Sequence, residues 1–422
     1  MLTVMKSVPV LFGVIALATS YHVGSGASSA QPSPEYMFVN LRSLDVTNTR
    51  GNSINNTGWV AGYSSLAGNV ARNAVAWFHG RRVNLGTLGG PNSSVAWPVK
   101  NDSGLIVGIA QTDDEDPSAA TWSCASFFPG PDAGRYTCRG FAWEGGAMRA
   151  LPTLGAGLNG YATGANNRRE IVGWAENGVV DTVSCAAPRT IQFRPVIWGP
   201  GTEEIRELPL WAADDTSGAA TAINDVGQAV GISGTCDQAV GRHTARHAVI
   251  WENGTVDNIG TLGGNTWNTP TAINRHGVVV GFASQAGDPP DAPRLRAFVW
   301  TRSEGIRDLG TLPDHATALA LGINDKGQIV GTSCPARGSC HAFLYENGVM
   351  RDLNAFKVPG YGFHLTRAQD INNDGAITGS AVELPVTTAS QTEAFLAFPT
   401  GLRTAVHEDP AHPMAPRRHA LR

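Results

Sequence analysis

Residues 224–231 read Asn-Asp-Val-Gly-Gln-Ala-Val-Gly, and residues 101–108 read Asn-Asp-Ser-Gly-Leu-Ile-Val-Gly. Seven copies of this phrase occur, beginning at 55, 101, 166, 224, 274, 324 and 372. Their starts lie about 46 to 65 residues apart, a period typical of propeller blades and too long for β-helix coils or leucine-rich repeats. The repeats therefore predict a ring or an array, and say little about a ligand.

One repeat, residues 271–312, shows how a unit should fold. A short strand ends at Ile273, residues 274–277 form a tight turn, and three valines continue as a second strand. Asn and Gly suit this turn because hairpin turns need positive φ. A third strand is predicted over 296–300 and a fourth over 306–312. Such a four-stranded unit, with strands A to D, must stack against its neighbours to bury its faces.

The strand signatures also predict the number of units. Strand A with its turn occurs seven times, and strand D six times after it, at Leu85, Leu151, Leu208, Ile259, Leu309 and Leu353. The missing strand D is expected within 38–46, so that an N-terminal strand completes the last blade and removes free edges. We predict an all-β, seven-bladed propeller of four-stranded antiparallel blades, with an open solenoid or a different blade count as the alternative.

An aromatic residue ends strand C in every repeat. We predict that these side chains form the core between blades rather than a sugar-stacking ring, because inter-blade packing needs one large group per unit. The residues are Trp77, Trp143, Trp198, Trp251, Trp300, Tyr345 and Phe398.

Composition places the chain in the globular class and predicts export. The 422 residues include 50 Gly and 25 Pro, 42% apolar and 16% charged residues, typical of a turn-rich fold. A net charge of −4 argues against nucleic acid as a partner. Residues 1–30 resemble a signal peptide, with Lys6 before an apolar run too short to span a bilayer, although an uncleaved anchor is the alternative. We expect a propeller over 36–400 and a disordered tail over 401–422.

Six cysteines in an exported chain favour disulfides over a metal site. Among the fifteen pairings that six cysteines allow, loop positions favour three. These are Cys124–Cys138, Cys334–Cys340 and Cys185–Cys236.

The chain resembles a known repeat family in three recurring segments. Residues 247–254 (His-Ala-Val-Ile-Trp-Glu-Asn-Gly), 257–264 (Asp-Asn-Ile-Gly-Thr-Leu-Gly-Gly) and 340–348 (Cys-His-Ala-Phe-Leu-Tyr-Glu-Asn-Gly) are similar to the HAF repeat of bacterial extracellular proteins. The resemblance spans about residues 36 to 400 and implies export and a propeller-like fold. The resemblance implies no particular reaction, ligand or functional residue for this chain. The copies at 166, with Arg169 in place of Gly, and at 372, with Thr378 in place of Val, depart from the pattern.

The two faces of the predicted ring should differ. The A-to-B and C-to-D turns are short, whereas the B-to-C loops are long and hold every cysteine, and long loops on a rigid scaffold are common binding sites. We therefore expect the functional face to comprise 109–139, 174–194, 232–246, 282–295 and 332–340, with the D-to-A segments 211–219 and 313–319. The candidate binding residues there are Asp113, Asp114, Asp116, Asp214, Asp215, Arg242, His243, Asp288, Asp291, Asp314 and His315.

The acidic members of this set favour a solvated surface over a calcium site, because no calcium-loop spacing appears. We predict no cofactor, metal or catalytic residue, with calcium as the alternative. The leading hypothesis is a secreted, periplasmic or extracellular, monomeric protein that binds a glycan or protein partner at the cell surface without catalysis. The rival hypothesis is a propeller lyase or glycoside-cleaving enzyme with an acid and a base near the central channel. The third hypothesis is a purely structural protein of the cell envelope.

Overall fold

A computed structural model describes residues 36–400 apart from 46–47, 118–123, 182–190, 201–203, 236–244, 291, 358–360 and 388–389. The predicted signal peptide, the tail and the Cys185–Cys236 pair lie outside the described residues. The described chain forms seven four-stranded antiparallel sheets, and its two helices are short 3-10 turns at Ala67–Asn69 and Leu353–Phe356. The predicted seven-bladed propeller is thus confirmed.

The strands run in chain order within blades 1 to 6, and blade 7 combines both ends of the chain. Blade 1 holds β2 (Thr49–Ile54), β3 (Val60–Ser65), β4 (Arg72–Phe78) and β5 (Arg81–Gly86). Blade 2 holds β6 (Gly89–Ser94), β7 (Ile106–Glu115), β8 (Tyr136–Glu144) and β9 (Ala147–Ala150). Blade 3 holds β10 (Gly160–Ala165), β11 (Ile171–Val180), β12 (Ile191–Trp198) and β13 (Ile205–Glu207). Blade 4 holds β14 (Ser217–Ile223), β15 (Ala229–Gly234), β16 (His247–Glu252) and β17 (Thr255–Asn258).

The remaining blades complete the ring. Blade 5 holds β18 (Thr269–Ile273), β19 (Val279–Ala283), β20 (Arg296–Thr301) and β21 (Gly305–Gly310). Blade 6 holds β22 (Thr317–Ile323), β23 (Ile329–Cys334), β24 (His341–Glu346) and β25 (Val349–Asp352). Blade 7 holds β26 (Phe363–Ile371), β27 (Ile377–Glu383), β28 (Thr392–Pro399) and β1 (Tyr36–Leu41).

The N-terminal strand closes the ring as the sequence predicts. Strand β1 pairs antiparallel with β28, with Phe38 opposite Ala397 and Asn40 opposite Phe395. Pairing β1 with β28 covers the edge of the C-terminal strand, and β1 takes the outer position that strand D holds in the other blades. The predicted strand within 38–46 lies slightly later than the observed 36–41.

The A-to-B turns use Asn differently from the sequence prediction. Positive φ is adopted by the fourth residue of the phrase, a Gly in six copies and Arg169 (φ 65°) in the other, and not by the Asn. In the turn at 324, the Asn324 Oδ1 accepts hydrogen bonds from the amides of Lys326 and Gln328. The Asn is therefore required for its side chain, which satisfies the turn amides. Asn does adopt positive φ in C-to-D turns, at Asn253 and Asn347.

The same Asn side chains link the blades to one another. In six of the seven copies, the Nδ2 group donates to the backbone carbonyl of the equivalent Asn in the next blade, at 2.9 to 3.2 Å. Asn372 of blade 7 donates to Asn55 of blade 1, which closes the ring. Asn101 is the exception, since its Nδ2 donates to Leu105 within its own turn. We call this circuit the asparagine ring.

The aromatic residues that end strand C pack between blades, as predicted. Six of them are buried, Trp198 completely and Tyr345 least, at 9% exposure, while Phe398 is half-buried. Three indoles also donate to the preceding blade, Trp77 to Arg42, Trp198 to Pro152 and Trp251 to Pro209. Each such tryptophan joins apolar burial to a hydrogen bond across the blade boundary.

Two of the predicted disulfides are present, Cys124–Cys138 and Cys334–Cys340. Cys124 lies in the B-to-C loop of blade 2 and Cys138 in its strand C, whereas Cys334 ends strand B of blade 6 and Cys340 precedes its strand C. The sequence prediction that B-to-C loops hold every cysteine is thus wrong for Cys138 and Cys334. No helix among the described residues has the length and apolar character needed to cross a bilayer.

Candidate functional site

The loop face, made of the B-to-C and D-to-A connections, scatters the predicted acidic residues. Asp113 and Asp114 are exposed and belong to strand β7, which extends further than the sequence predicts, so they are not loop residues. Asp116 follows that strand and is buried, and its Oδ2 accepts a hydrogen bond from Asn159 at 3.0 Å. The same amide contacts Glu176, whose pKa is raised by burial. Asp116 therefore joins blades 2 and 3 and is not presented to a ligand.

Asp214 and Asp215 have different surroundings although they are adjacent. Asp214 is exposed and pairs with Arg246 at 3.1 Å. Asp215 is buried, accepts a hydrogen bond from Ser233 at 2.6 Å, and has its other oxygen 3.8 Å from His247. Because each carboxylate has its own partners, the two do not form one site.

The other predicted residues are also dispersed. Asp288 has a buried carboxylate that accepts the amide of Gln285 at 3.0 Å and lies 3.2 Å from Arg294. Asp314 is exposed in a turn, at φ 64°. Arg242, His243 and Asp291 lie outside the described residues. Across the described chain, no three His, Cys, Asp or Glu side chains are grouped as a metal ion would require, and calcium stays a hypothesis.

His315 is the predicted residue that belongs to a cluster. Its ring centroid lies 4.9 Å from that of His341, which lies 4.6 Å from that of His364, and both contacts are edge-to-face. Nδ1 of His341 lies 2.7 Å from the Asp352 carboxylate. We call these four side chains the histidine cluster. His341 starts strand C and Asp352 ends strand D of blade 6, His315 lies in the connection that leads into blade 6, and His364 lies near the start of strand A of blade 7.

The other histidines of the cluster are also held by the protein. His315 hydrogen-bonds Ser333 at 3.0 Å, and His364 contacts the carbonyl of Cys340 at 2.9 Å. Burial, with a contribution from His341, lowers the pKa of His315 and of His364. Burial would raise the pKa of Asp352, but the hydrogen bonds from His341 and Asn354 outweigh it and lower that pKa. Two imidazoles with lowered pKa values thus lie beside the hydrogen bond between His341 and Asp352.

Asp352 and His364 were not among the predicted site residues. Asp352 could have been found, because the residue four positions before the aromatic end of strand C contacts a polar residue near the end of strand D in several repeats. Equivalent pairs are Arg194–Glu207, His247–Asn258 and Arg296–Asp308. This periodicity also shows that the His341–Asp352 pair is the blade-6 form of a recurring structural contact. His364 has no such periodic signal, since it precedes the least regular copy.

The opposite face, which carries the A-to-B turns, holds a narrow cavity of about 60 Å³ at the mouth of the channel. The second residue of each turn lines it. In six of the seven turns, the backbone amide of this residue donates to the side chain of the equivalent residue in the next blade. Asn56 donates to Asp102, Asp102 to Asn167 and Asn167 to Asp225. Arg275 donates to Asp325, Asp325 to Asn373 and Asn373 to Asn56. The carboxylates of Asp102, Asp225 and Asp325 thus hold the scaffold together.

No protein-family model and no curated protein matches the chain. Solved structures resemble it at low identity. A puromycin-hydrolysing peptidase of Mycobacterium tuberculosis is 12% identical over 83% of this chain and 51% of its own, with a TM-score of 0.45. Two proteins described as gluconolactonases, one putative and one from Xanthomonas campestris, are 13% and 10% identical, with TM-scores of 0.28 and 0.31. The match to the putative gluconolactonase covers 49% of this chain and 81% of that protein. The match to the Xanthomonas campestris protein covers 62% of this chain and 78% of that protein.

Proposed function

We propose that this protein is an exported binding protein, of the HAF-repeat type, that holds a glycan or protein partner at the loop-face end of its channel without catalysing a reaction. One observation carries the proposal. The innermost strands of blades 7 and 1 place Arg367 and Arg50 beside each other at that end, next to Tyr63, which pairs with Arg50 across the sheet. Arginine and tyrosine are the residue types most enriched where proteins bind partners.

The disulfides support export. Cys124 and Cys138 are both buried in one cluster of apolar side chains, so their bond belongs to the folded core of blade 2. Disulfides persist in oxidising compartments such as the periplasm or the cell exterior. Together with the signal-like residues 1–30, they support a place outside the cytoplasm.

The experiment is a binding screen with the purified full-length protein, on a glycan array and on a surface extract of the native cell. We expect saturable binding that is lost when the loop face is blocked, for example by biotin–streptavidin attached at an Asp114→Cys site. The same attachment at Asn253→Cys, in a C-to-D turn of the other face, is the matched control. Binding that survives blocking of the loop face, or an absence of saturable binding, would refute the proposal.

The second candidate function is acid–base catalysis at the histidine cluster, and the His341–Asp352 contact of 2.7 Å favours it. A carboxylate on Nδ1 leaves Nε2 of the neutral ring as a proton acceptor. The test is turnover on polysaccharides and lactones, with His341→Gln and Asp352→Asn compared with the wild type. Turnover lost in both variants, with the fold intact, would replace the binding proposal with an enzyme.

A further inference from the structure

One position recurs at the loop-face end of every blade, in the innermost strand or, in blade 2, just after it. This position lies five residues before the first Asn of each turn. Its occupants, in blade order, are Arg50, Ala96, Tyr161, Ala219, Thr269, Leu319 and Arg367. We call this set the entrance ring. The two arginines occupy blades 7 and 1, which are neighbours through ring closure, so that both positive charges lie on one side of the channel.

A third arginine belongs to the same surface. Arg50 pairs with Tyr63 across β2 and β3, which places both side chains on the same face of the blade-1 sheet. Arg72, at the start of β4, places its guanidinium carbon 4.4 Å from the centroid of the Tyr63 ring. Arg72 therefore lies over the Tyr63 ring, and Arg50 is close enough for its charge to act on Arg72 and on Arg367 of blade 7.

The pKa values are consistent with this crowding. Burial lowers the pKa of Arg72, and the charge of Arg50 lowers it further. Burial and the same charge lower the pKa of Arg367 to about 10. Arg367 is partly exposed. The charge of Arg50 therefore acts unfavourably on Arg72 and on Arg367.

The cluster lacks a counter-charge in the described structure. No carboxylate of the described residues lies within ion-pair distance of Arg50, Arg72 or Arg367, and Nε of Arg50 and of Arg72 is buried with no hydrogen-bond partner among them. Nine other arginines, by contrast, form ion pairs with carboxylates. They are Arg135, Arg168, Arg169, Arg194, Arg246, Arg275, Arg294, Arg296 and Arg302. Buried donors and like charges without partners are unfavourable unless a bound group satisfies them.

We infer that Arg50, Arg72 and Arg367 form a site for an oxyanion, a carboxylate, sulfate or phosphate group of a ligand that enters from the loop face. The planar guanidinium donates two parallel hydrogen bonds to such groups. Tyr161 of the entrance ring lies close enough to Arg72 to interact with its charge, and burial raises the pKa of its phenol, which keeps the hydroxyl protonated. The inference rests on the proposed function, because it specifies the chemistry of the partner bound at the same end of the channel.

The test is isothermal titration of the full-length protein at constant ionic strength with three probes, sodium sulfate, sodium phosphate and an oligogalacturonate. At least one probe should bind saturably, and the comparison identifies the preferred oxyanion. Arg50→Gln and Arg367→Gln should each weaken that binding at least tenfold. Arg302→Gln, an exposed arginine of the turn face that pairs with Glu252, should bind as the wild type does.

Thermal unfolding gives a second readout that a purely structural role would not produce. Without anion, Arg367→Gln should raise Tm because it relieves repulsion, whereas the preferred anion should raise the Tm of the wild type and not of this variant. Equal anion binding by the wild type and both variants, or no binding of any probe, would overturn the oxyanion site. If the variants keep a glycan or protein partner as well as the wild type does, the oxyanion site is overturned but the proposed function is not. If the wild type binds an anion but no glycan or protein partner, the proposed function is refuted but the oxyanion site is not.

Discussion

Lys100 of blade 2 forms an ion pair with Asp370 of blade 7, across the intervening blade 1. The Asp370 carboxylate also accepts a hydrogen bond from the amide of Ile54 in blade 1, at 2.9 Å. One buried carboxylate therefore joins three consecutive blades at the place where the ring closes. The Lys100 ammonium donates further to the carbonyl of Ile371 at 2.6 Å.

Removing the lysine should destabilise the ring strongly. Lys100→Met leaves a buried carboxylate without its cation, which typically costs about 3 to 5 kcal/mol. We expect the free energy of unfolding in urea to fall by about that amount, and the double variant with Asp370→Asn to recover most of it. A loss for Lys100→Met below about 1 kcal/mol would show that the ion pair is not an essential link.

The asparagine ring predicts different costs for two equivalent positions. Asn324 and Asn101 both accept hydrogen bonds from their own turns, but only Asn324 donates to the next blade. Asn324→Ala should therefore lower the free energy of unfolding by about 1 kcal/mol more than Asn101→Ala. Equal losses in urea denaturation would mean that the link between blades contributes no net stability.

Replacing Trp251 tests how much the aromatic residue at the end of strand C stabilises the packing between blades. The side chain is 2% exposed, and its indole donates to the Pro209 carbonyl at 2.7 Å. Trp251→Ala should reduce the free energy of unfolding by about 3 to 5 kcal/mol. Trp211→Ala is the matched control, because that residue is 43% exposed, and it should cost less than about 1 kcal/mol. Similar losses for the two variants would contradict the packing role.

The histidine cluster predicts acid sensitivity. The pKa of His364 is lowered by burial below its ordinary value of 6.5, so the unfolded chain binds a proton at a higher pH than the folded one. Stability should be constant above pH 6.5 and fall as the pH decreases from there through the folded pKa. The lowered pKa of Asp352 adds a separate loss below pH 3.8. Tm measured from pH 8 to 5 checks the first window.

His364→Gln should flatten that fall in Tm, because the variant cannot take up the proton. His276, an exposed residue of the turn face, supplies the control variant His276→Gln. If Tm falls equally in the wild type and both variants, the acid sensitivity arises elsewhere in the molecule.

Local patterns in the chain were sufficient for blade number, strand order and closure. The repeat of Asn, Gly and apolar residues specifies a hairpin at each copy, and the count of strand D signatures requires β1 to join the last blade. The aromatic residue at the end of strand C predicted its own burial, because one large group per repeat fills one inter-blade layer. These features could be predicted because the hydrogen bonds of a hairpin form between residues that are close together in the sequence.

The candidate sites were predicted less well, because they depend on contacts between blades. Asp116 and Asp215 read as surface acids in loops, yet each is buried against a side chain from a neighbouring strand. The oxyanion site was missed altogether, because Arg50 and Arg367 are 317 positions apart and become neighbours only through closure.

By itself, the sequence determined the repeating unit, since turn chemistry and strand periodicity act over a few residues. Tertiary structure alone decided which charges face one another, because the ring brings the first and last blades together and shields their side chains from water. Lys100 with Asp370, and Arg50 with Arg367, have the energetics of buried charges for that reason.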